Sequence, residues 1–193
     1  MTIHFEITDQ VARIRLNRPE VLNSFNKEMA MELQRILAQC DSDPQIRAVF
    51  ITGEGRAFCA GQDLAEAIDA NGPGLQNIVR DHYNPIIERI RAIEKPVVAA
   101  VNGVAAGAGA NIALACDIVF AASSASFIQA FSKIGLIPDS GGTYFLPRLV
   151  GFQKAMAIAM LGDKITSAEA ETMGMIYKSV PADAFEETVN TLA

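Results

Sequence analysis

Cysteine and histidine are scarce in this 193-residue chain, and the few present are scattered. Cys40, Cys59 and Cys116 form no CxxC pair and share no ligand spacing with His4 or His82, which argues against the common zinc patterns. An odd, dispersed set of thiols also argues against a disulfide framework. The expectation is reduced, mostly buried cysteines in a cytoplasmic protein. Positive charge is short as well: 16 Lys and Arg stand against 22 Asp and Glu, net −6, with no basic cluster. That disfavours nucleic acid and anionic membrane surfaces as main partners. The N-terminal MTIHFEITDQ has neither the basic nor the apolar region of a secretory leader. No fixed-period repeat or low-complexity run occurs. Ser140 has glycine neighbours but no G-x-S-x-G frame and no nearby histidine to activate it. Gly107-x-Gly109 lacks the third glycine and the downstream acid of a dinucleotide fingerprint.

What the chain does have is apolar material, 50% of its residues, enough for one domain with a sizeable core. Its longest uncharged stretch, from Pro96 to Cys116, has the length of a membrane span. Its interior argues otherwise. Val97 to Val101 reads as a short buried strand, Asn102-Gly103 breaks it, and Gly107 and Gly109 open a small-residue helix ending near Asp117. Around this segment strands and helices alternate. Ile3, Phe5 and Ile7, then Val11, Ile14 and Leu16, predict an edge hairpin. Asn26 predicts a cap for a helix to about Cys40, and 48–51 a buried strand. Residues 64–70 begin a helix that Asn71-Gly72-Pro73-Gly74 breaks, a candidate lid. A helix is expected over 75–93, bent or restarted at Pro85. Further strands are expected at 118–120, 127–129 and 177–180. Helices are expected at 140–150 (interrupted near Pro147), 152–161, after the Thr166–Glu169 capping box, and at 182–192. The class is α/β.

Two segments present backbone with little side chain in the way, Ala60-Gly61 and Gly107-Ala108-Gly109. Two N–H groups converging on one oxygen make an oxyanion hole, worth about 10²–10³ in rate per donor; close packing of two backbones explains the same residues. Asp139 is the one carboxylate in the uncharged turn IPDSGG. Read from its neighbours alone it is first an N-cap for a helix starting at Ser140, and second a proton shuttle whose affinity is raised by an apolar pocket. Cys59, beside the first segment, reads as a small buried residue.

LNRPEVLNSFN, FCAGQDL, KPVVAAVNGVAAGAGANIALACDIVFAA, IGLIPDSGGTYFLPRLVG and GDKITSAEAETMGMI, in that order, resemble the enoyl-CoA hydratase/isomerase (crotonase) superfamily over essentially the whole chain. Within it, NSFN, FCAGQDL, VNGVAAGAGA and FSKIGLIPDSGGT look most like the isomerases that act on the 1,2-epoxide of phenylacetyl-CoA. The resemblance implies one domain over 1–193: a spiral of ββα units with the start of a C-terminal helical region from about 182. It implies an acyl-CoA thioester substrate, no metal, and no cofactor beyond the coenzyme A carried by the substrate. The thioester oxygen would sit between the N–H groups of Ala60 and Ala108. Leu22, Asn23, Gln62, Asp63 and Leu64 would line the adenine and pantetheine side, with Gly107 beside the thioester. The superfamily's hydratases carry two glutamates where this chain has Asn111 and Phe131. Its isomerases can carry an acid where this chain has Asp139, so the resemblance favours Asp139 as the proton carrier. The expectation is an isomerase of ring-1,2-epoxyphenylacetyl-CoA. The alternatives are an enoyl-CoA Δ3–Δ2 isomerase, a hydratase (disfavoured), or a non-catalytic acyl-CoA-binding or assembly subunit. The family also implies a homotrimer or dimer of trimers, and C-terminal helices that this chain shortens.

Overall fold

The structure is a computed structural model and describes residues 1–191. It opens with β1 (Ile3–Thr8) and β2 (Val11–Leu16), an antiparallel hairpin in register from Ile3↔Leu16 to Thr8↔Val11. Asp9 and Gln10 at its tip both have positive φ, the geometry that keeps a two-residue turn in step with strand twist. α1 (Lys27–Ser42) begins at Asn26, whose side chain accepts the Met29 N–H, as the sequence predicts. β3 (Ala48–Gly53), β4 (Ala57–Cys59) and α2 (Leu64–Ile68) follow. A continuous helical run then comprises α3 (Leu75–Asn77), a π-helical segment (Ile78–Tyr83) and α4 (Asn84–Ala92), which restarts at Pro85.

The long uncharged stretch resolves into β5 (Val97–Val101), β6 (Val104–Ala106) and α5 (Ala108–Ala115). Among the described residues no helix is long and apolar enough to cross a membrane. β7 (Ile118–Ala122) and β8 (Ser126–Ile128) lead through a 3₁₀ turn (Ala130–Ile134) to α6 (Gly142–Val150). α7 (Phe152–Leu161), β9 (Lys164–Thr166), α8 (Ser167–Thr172), β10 (Lys178–Val180) and α9 (Phe185–Thr191) complete the order. The Thr166/Glu169 capping box forms as predicted.

Two sheets result. The larger runs β1-β2-β3-β5-β7-β10, parallel except for the hairpin; the smaller runs β4-β6-β8-β9, parallel except at β8·β9. Each spiral turn places one strand in the large sheet and the next in the small one: β3 then β4, β5 then β6, β7 then β8. β5 is buried at every position, which is why it reads as an unbroken apolar run. Three expectations change. The three-residue strands β4, β6 and β9 carry too short a pattern to be seen in sequence. The helix expected from Ser140 starts at Gly142, because Ser140 and Gly141 both hold left-handed φ. That helix also continues through Pro147.

Candidate active site

The small sheet delivers the site. β4 and β6 are parallel neighbours, with Cys59 beside Ala105, and β6 and β8 pair Ala106 with Ile128. Three strands therefore end at one edge, and their continuations, residues 60–62, 107–108 and 129, meet there. Such an edge, at the carboxyl ends of parallel strands, is where backbone N–H groups are left without ladder partners. The approach is close. A Cβ on Gly61 (φ +98°) would lie 3.0 Å from the Ala106 carbonyl oxygen and 3.6 Å from the Ala108 nitrogen, so only glycine fits. Gly107 adopts φ 52°, ψ −127° as the N-cap of α5, with the Phe131 ring beside it. Ala108 is thus the first residue of α5, whose leading N–H groups have no intrahelical acceptor.

This geometry revises one donor. The Ala60 N–H is already committed, donating to the Leu22 carbonyl at 3.0 Å. Two residues on, Phe25 donates to the Gly61 carbonyl and accepts from the Asp63 N–H, which leaves the intervening Gln62 N–H unpaired. Among the described residues, neither the Gln62 nor the Ala108 N–H has an acceptor within the protein. The pair of open donors is therefore Gln62 and Ala108, not Ala60 and Ala108. Backbone N–H groups are chemically alike, so nothing in the residue types distinguishes position 60 from 62. The decision lies in pairing with the 22–25 segment. Gln62 is also braced through its side chain: Tyr83 donates to Oε1 at 2.7 Å, and Nε2 donates to Glu66 at 2.9 Å. Burial is the main reason Tyr83 keeps its proton well above the ordinary range; Cys59, Asp139 and the carboxylates of Glu66 and Asp63 push the same way.

Two residues expected on the ligand side have other work. Asn23 is fully buried; its Nδ2 donates to the carbonyls of Glu54 (2.9 Å) and Ala57 (2.8 Å), and its Oδ1 accepts the Arg18 N–H (2.8 Å). Both amide hydrogens are spent and no part of the residue is exposed. Asp63 caps α2 through the Ala65 N–H and pairs with Arg18 at 2.8 Å. Partial burial alone would raise its carboxyl, but Arg18 and the Ala65 N–H outweigh that and hold it below the usual range. Leu22 is half-buried and Leu64 is exposed; both remain open to contact.

Asp139 caps no helix: α6 begins at Gly142 with Gly141 as N-cap and no side-chain capping bond. Its Oδ1 accepts the Ser140 hydroxyl at 2.9 Å, and its carbonyl accepts the Gly142 N–H and the Asn111 side-chain amide. Burial pushes its carboxyl up from 3.8 to about 6, only partly opposed by the Ser140 bond. Asn111 lies one turn into α5 from Ala108, which places the Asp139 turn beside the open donors. Phe131, buried against Gly107, supplies an apolar wall. Cys59 is fully buried and pushed up to about 12 by desolvation, the opposite of an activated thiol. A separate broad concavity lies against the hairpin, lined by His4, Phe5, Arg13, Arg15, Phe50 and Phe185, and includes none of these residues.

Comparison with known proteins bears on this arrangement. The family model described as enoyl-CoA hydratase/isomerase matches residues 6–193. A Rhodobacter capsulatus protein named as a probable enoyl-CoA hydratase is 49% identical over 185 residues, covering 96% of this chain and 71% of the relative. The 1,2-epoxyphenylacetyl-CoA isomerase of Escherichia coli K12 is 50% identical over 186 residues, covering 95% and 71%. Among solved structures, the enoyl-CoA hydratase of Bacillus anthracis superposes with a TM-score of 0.92 at 36% identity, covering 100% of this chain and 75% of that one.

Proposed function

This chain belongs to the enoyl-CoA hydratase/isomerase family, and within it we propose that the chain is an isomerase of acyl-CoA thioesters that uses one acid/base residue, Asp139. The observation that carries this is the state of position 111. A group that activates or protonates water must give up and regain a proton. Asn111 instead carries a neutral amide whose nitrogen is bound to the Asp139 carbonyl and whose oxygen is bound to Gln129. Phe131 offers no proton either. Asp139 is then the carboxyl at the site with a proton affinity near the working pH.

The mechanism follows from charge. The thioester oxygen lies against the Gln62 and Ala108 N–H groups, and the start of α5 adds its partial positive charge there. Removal of a proton from the carbon next to the thioester by the Asp139 carboxylate puts negative charge on that oxygen, where the two donors stabilise it. Return of the proton from Asp139 to a different carbon shifts the double bond. With a ring 1,2-epoxide as substrate, the same pair assists ring opening and rearrangement to the seven-membered oxepin. We take that epoxide as the preferred substrate, supported by the 50% identity to the E. coli isomerase, whose name specifies it. We also propose a homotrimer or dimer of trimers working in the cytoplasm. Phe152, Met156 and Met160, spaced four residues apart along one side of α7, are exposed, an apolar strip suited to a subunit contact, and the three free thiols are buried.

The test is turnover of purified protein on ring-1,2-epoxyphenylacetyl-CoA, 3-enoyl-CoA and 2-enoyl-CoA, with products identified by mass and chromatography. Isomers of unchanged mass are expected. A product heavier by one water from the 2-enoyl substrate would establish a hydratase, as the R. capsulatus name suggests. Tight acyl-CoA binding with no turnover would establish a binding subunit. Light scattering after size exclusion reads the assembly, and a clean monomer would refute the trimer.

A further inference from the structure

Asn111 is fully buried in the first turns of α5, with its backbone N–H in the helix's first bond, to Gly107. Its side chain reaches out of the helix to the Asp139 turn. There Nδ2 donates to the Asp139 carbonyl at 2.9 Å, while the Gly142 N–H donates to the same oxygen at 2.8 Å. Both lone pairs of that carbonyl are thus used. The fit is tight, because a Cβ on Gly142 would lie 2.4 Å from Asn111 Nδ2. The turn needs such a hold: Ser140 sits at φ 48°, a left-handed conformation that costs a non-glycine residue about 1–2 kcal/mol.

The orientation of the Asn111 amide is fixed by elimination. A carbonyl only accepts, so the NH₂ end must face Asp139 and the oxygen end must face away. Gln129, 2% exposed at the end of β8, meets that oxygen with its own Nε2 at 2.7 Å. The cost shows at the other end of Gln129, where the buried Oε1 has no partner among the described residues. A buried amide that leaves its own oxygen unpaired in order to orient a neighbour marks a constraint on that neighbour.

We propose that Asn111 is a positioning residue: with Gln129 setting its orientation, it clamps the backbone of the Asp139 turn and thereby fixes where the carboxyl stands relative to the Gln62 and Ala108 donors. The catalytic half of this rests on Asp139 being the proton carrier. The structural half, control of the carboxyl's surroundings, does not. The burial that raises Asp139 depends on the turn staying closed; the titratable neighbour facing it is Tyr83 of the π-helical segment, protonated throughout the working range.

The experiment reads both halves. Protein labelled with ¹³C at aspartate carboxyls is titrated by NMR without substrate, and the Asp139 signal is assigned by its loss in Asp139→Asn. The wild-type midpoint is expected at about 6. Asn111→Ala should let water reach the turn and lower the midpoint by at least about half a pH unit. Gln129→Met keeps the volume and removes only the orienting amide, so it should shift the midpoint in the same direction, and it serves if Asn111→Ala does not fold. In turnover, the isosteric Asn111→Asp replaces the donor by an oxygen facing the Asp139 carbonyl. It should lower kcat about 10- to 100-fold with KM within about threefold. An Asp139 midpoint unmoved in Asn111→Ala and Gln129→Met, with kcat unmoved in Asn111→Asp, would overturn the proposal and leave Asn111 as packing alone. Near-normal turnover of Asp139→Asn would instead defeat the isomerase reading, while the NMR midpoint still decides the clamp.

Discussion

Replacing Asp139 by Asn should make the protein more stable and less active, and the gain in stability should depend on pH. Burial holds the Asp139 carboxyl at about 6 in the folded chain against 3.8 for the unfolded reference. Below 3.8 both states are protonated there, and the group has no pH-dependent effect. As pH rises from 3.8 towards 6 the unfolded chain releases the proton first, so folding loses about 1.36 kcal/mol for each pH unit in that window. Above about 6 both states are ionised and the loss levels off at about 3 kcal/mol. Asparagine imitates the protonated carboxyl in size and neutrality, and its carbonyl can still accept the Ser140 hydroxyl. The variant should therefore match the wild type near pH 4 and exceed it by up to about 3 kcal/mol at pH 7.5, an upper bound because the carboxyl is not wholly desolvated. Urea unfolding of both proteins at four pH values between 4 and 7.5 measures the difference directly. Turnover measured on the same preparations should be lost almost completely in the variant. In the wild type it should rise with pH through about 6, since the first step needs the carboxylate. A stability difference that stays flat with pH, or a variant less stable than wild type at pH 7.5, would refute the claim that Asp139 is held ionised at a cost.

Three other substitutions test the rest of the site. Ala108→Pro removes one donor at a helix N1 position, where proline's fixed φ is accepted; kcat should fall about 10²–10³-fold while the urea midpoint hardly moves. Gly61→Ala places a methyl 3.0 Å from the Ala106 oxygen at φ +98°, so it should separate the two donor segments, cost about 1–3 kcal/mol in unfolding free energy and lower kcat. Asn23→Ala leaves the Glu54 carbonyl without its side-chain donor and the Ala57 carbonyl with only the longer bond from Asn102 Nδ2 at 3.3 Å, and it puts alanine at φ 57°. It should cost about 3–5 kcal/mol on denaturation; a loss seen only in KM for the CoA thioester would restore Asn23 to the ligand side.

The amino-acid sequence by itself determined the fold class, the family and the start of several elements. Alternating apolar positions set the hairpin, Asn26 and Thr166 set two helix starts, and the glycines at 61 and 107 marked the places where backbone had to come close. Asp139 stood out because it is the lone carboxylate in an apolar turn. Of the small sheet only β8 showed; β4, β6 and β9 are three-residue strands set in glycine-rich or helix-capping sequence, where no alternating run marks them. Which N–H groups stay open was decided only by tertiary structure. Ala60 lost its donor to Leu22 and Gln62 kept its own, because hydrogen-bond pairing joins segments some forty residues apart and peptide groups carry no residue label. The same holds for Asn23, Asp63 and Asn111. Their side chains are ordinary polar groups in sequence, and each received its role from the two or three partners that folding placed within 3 Å of it.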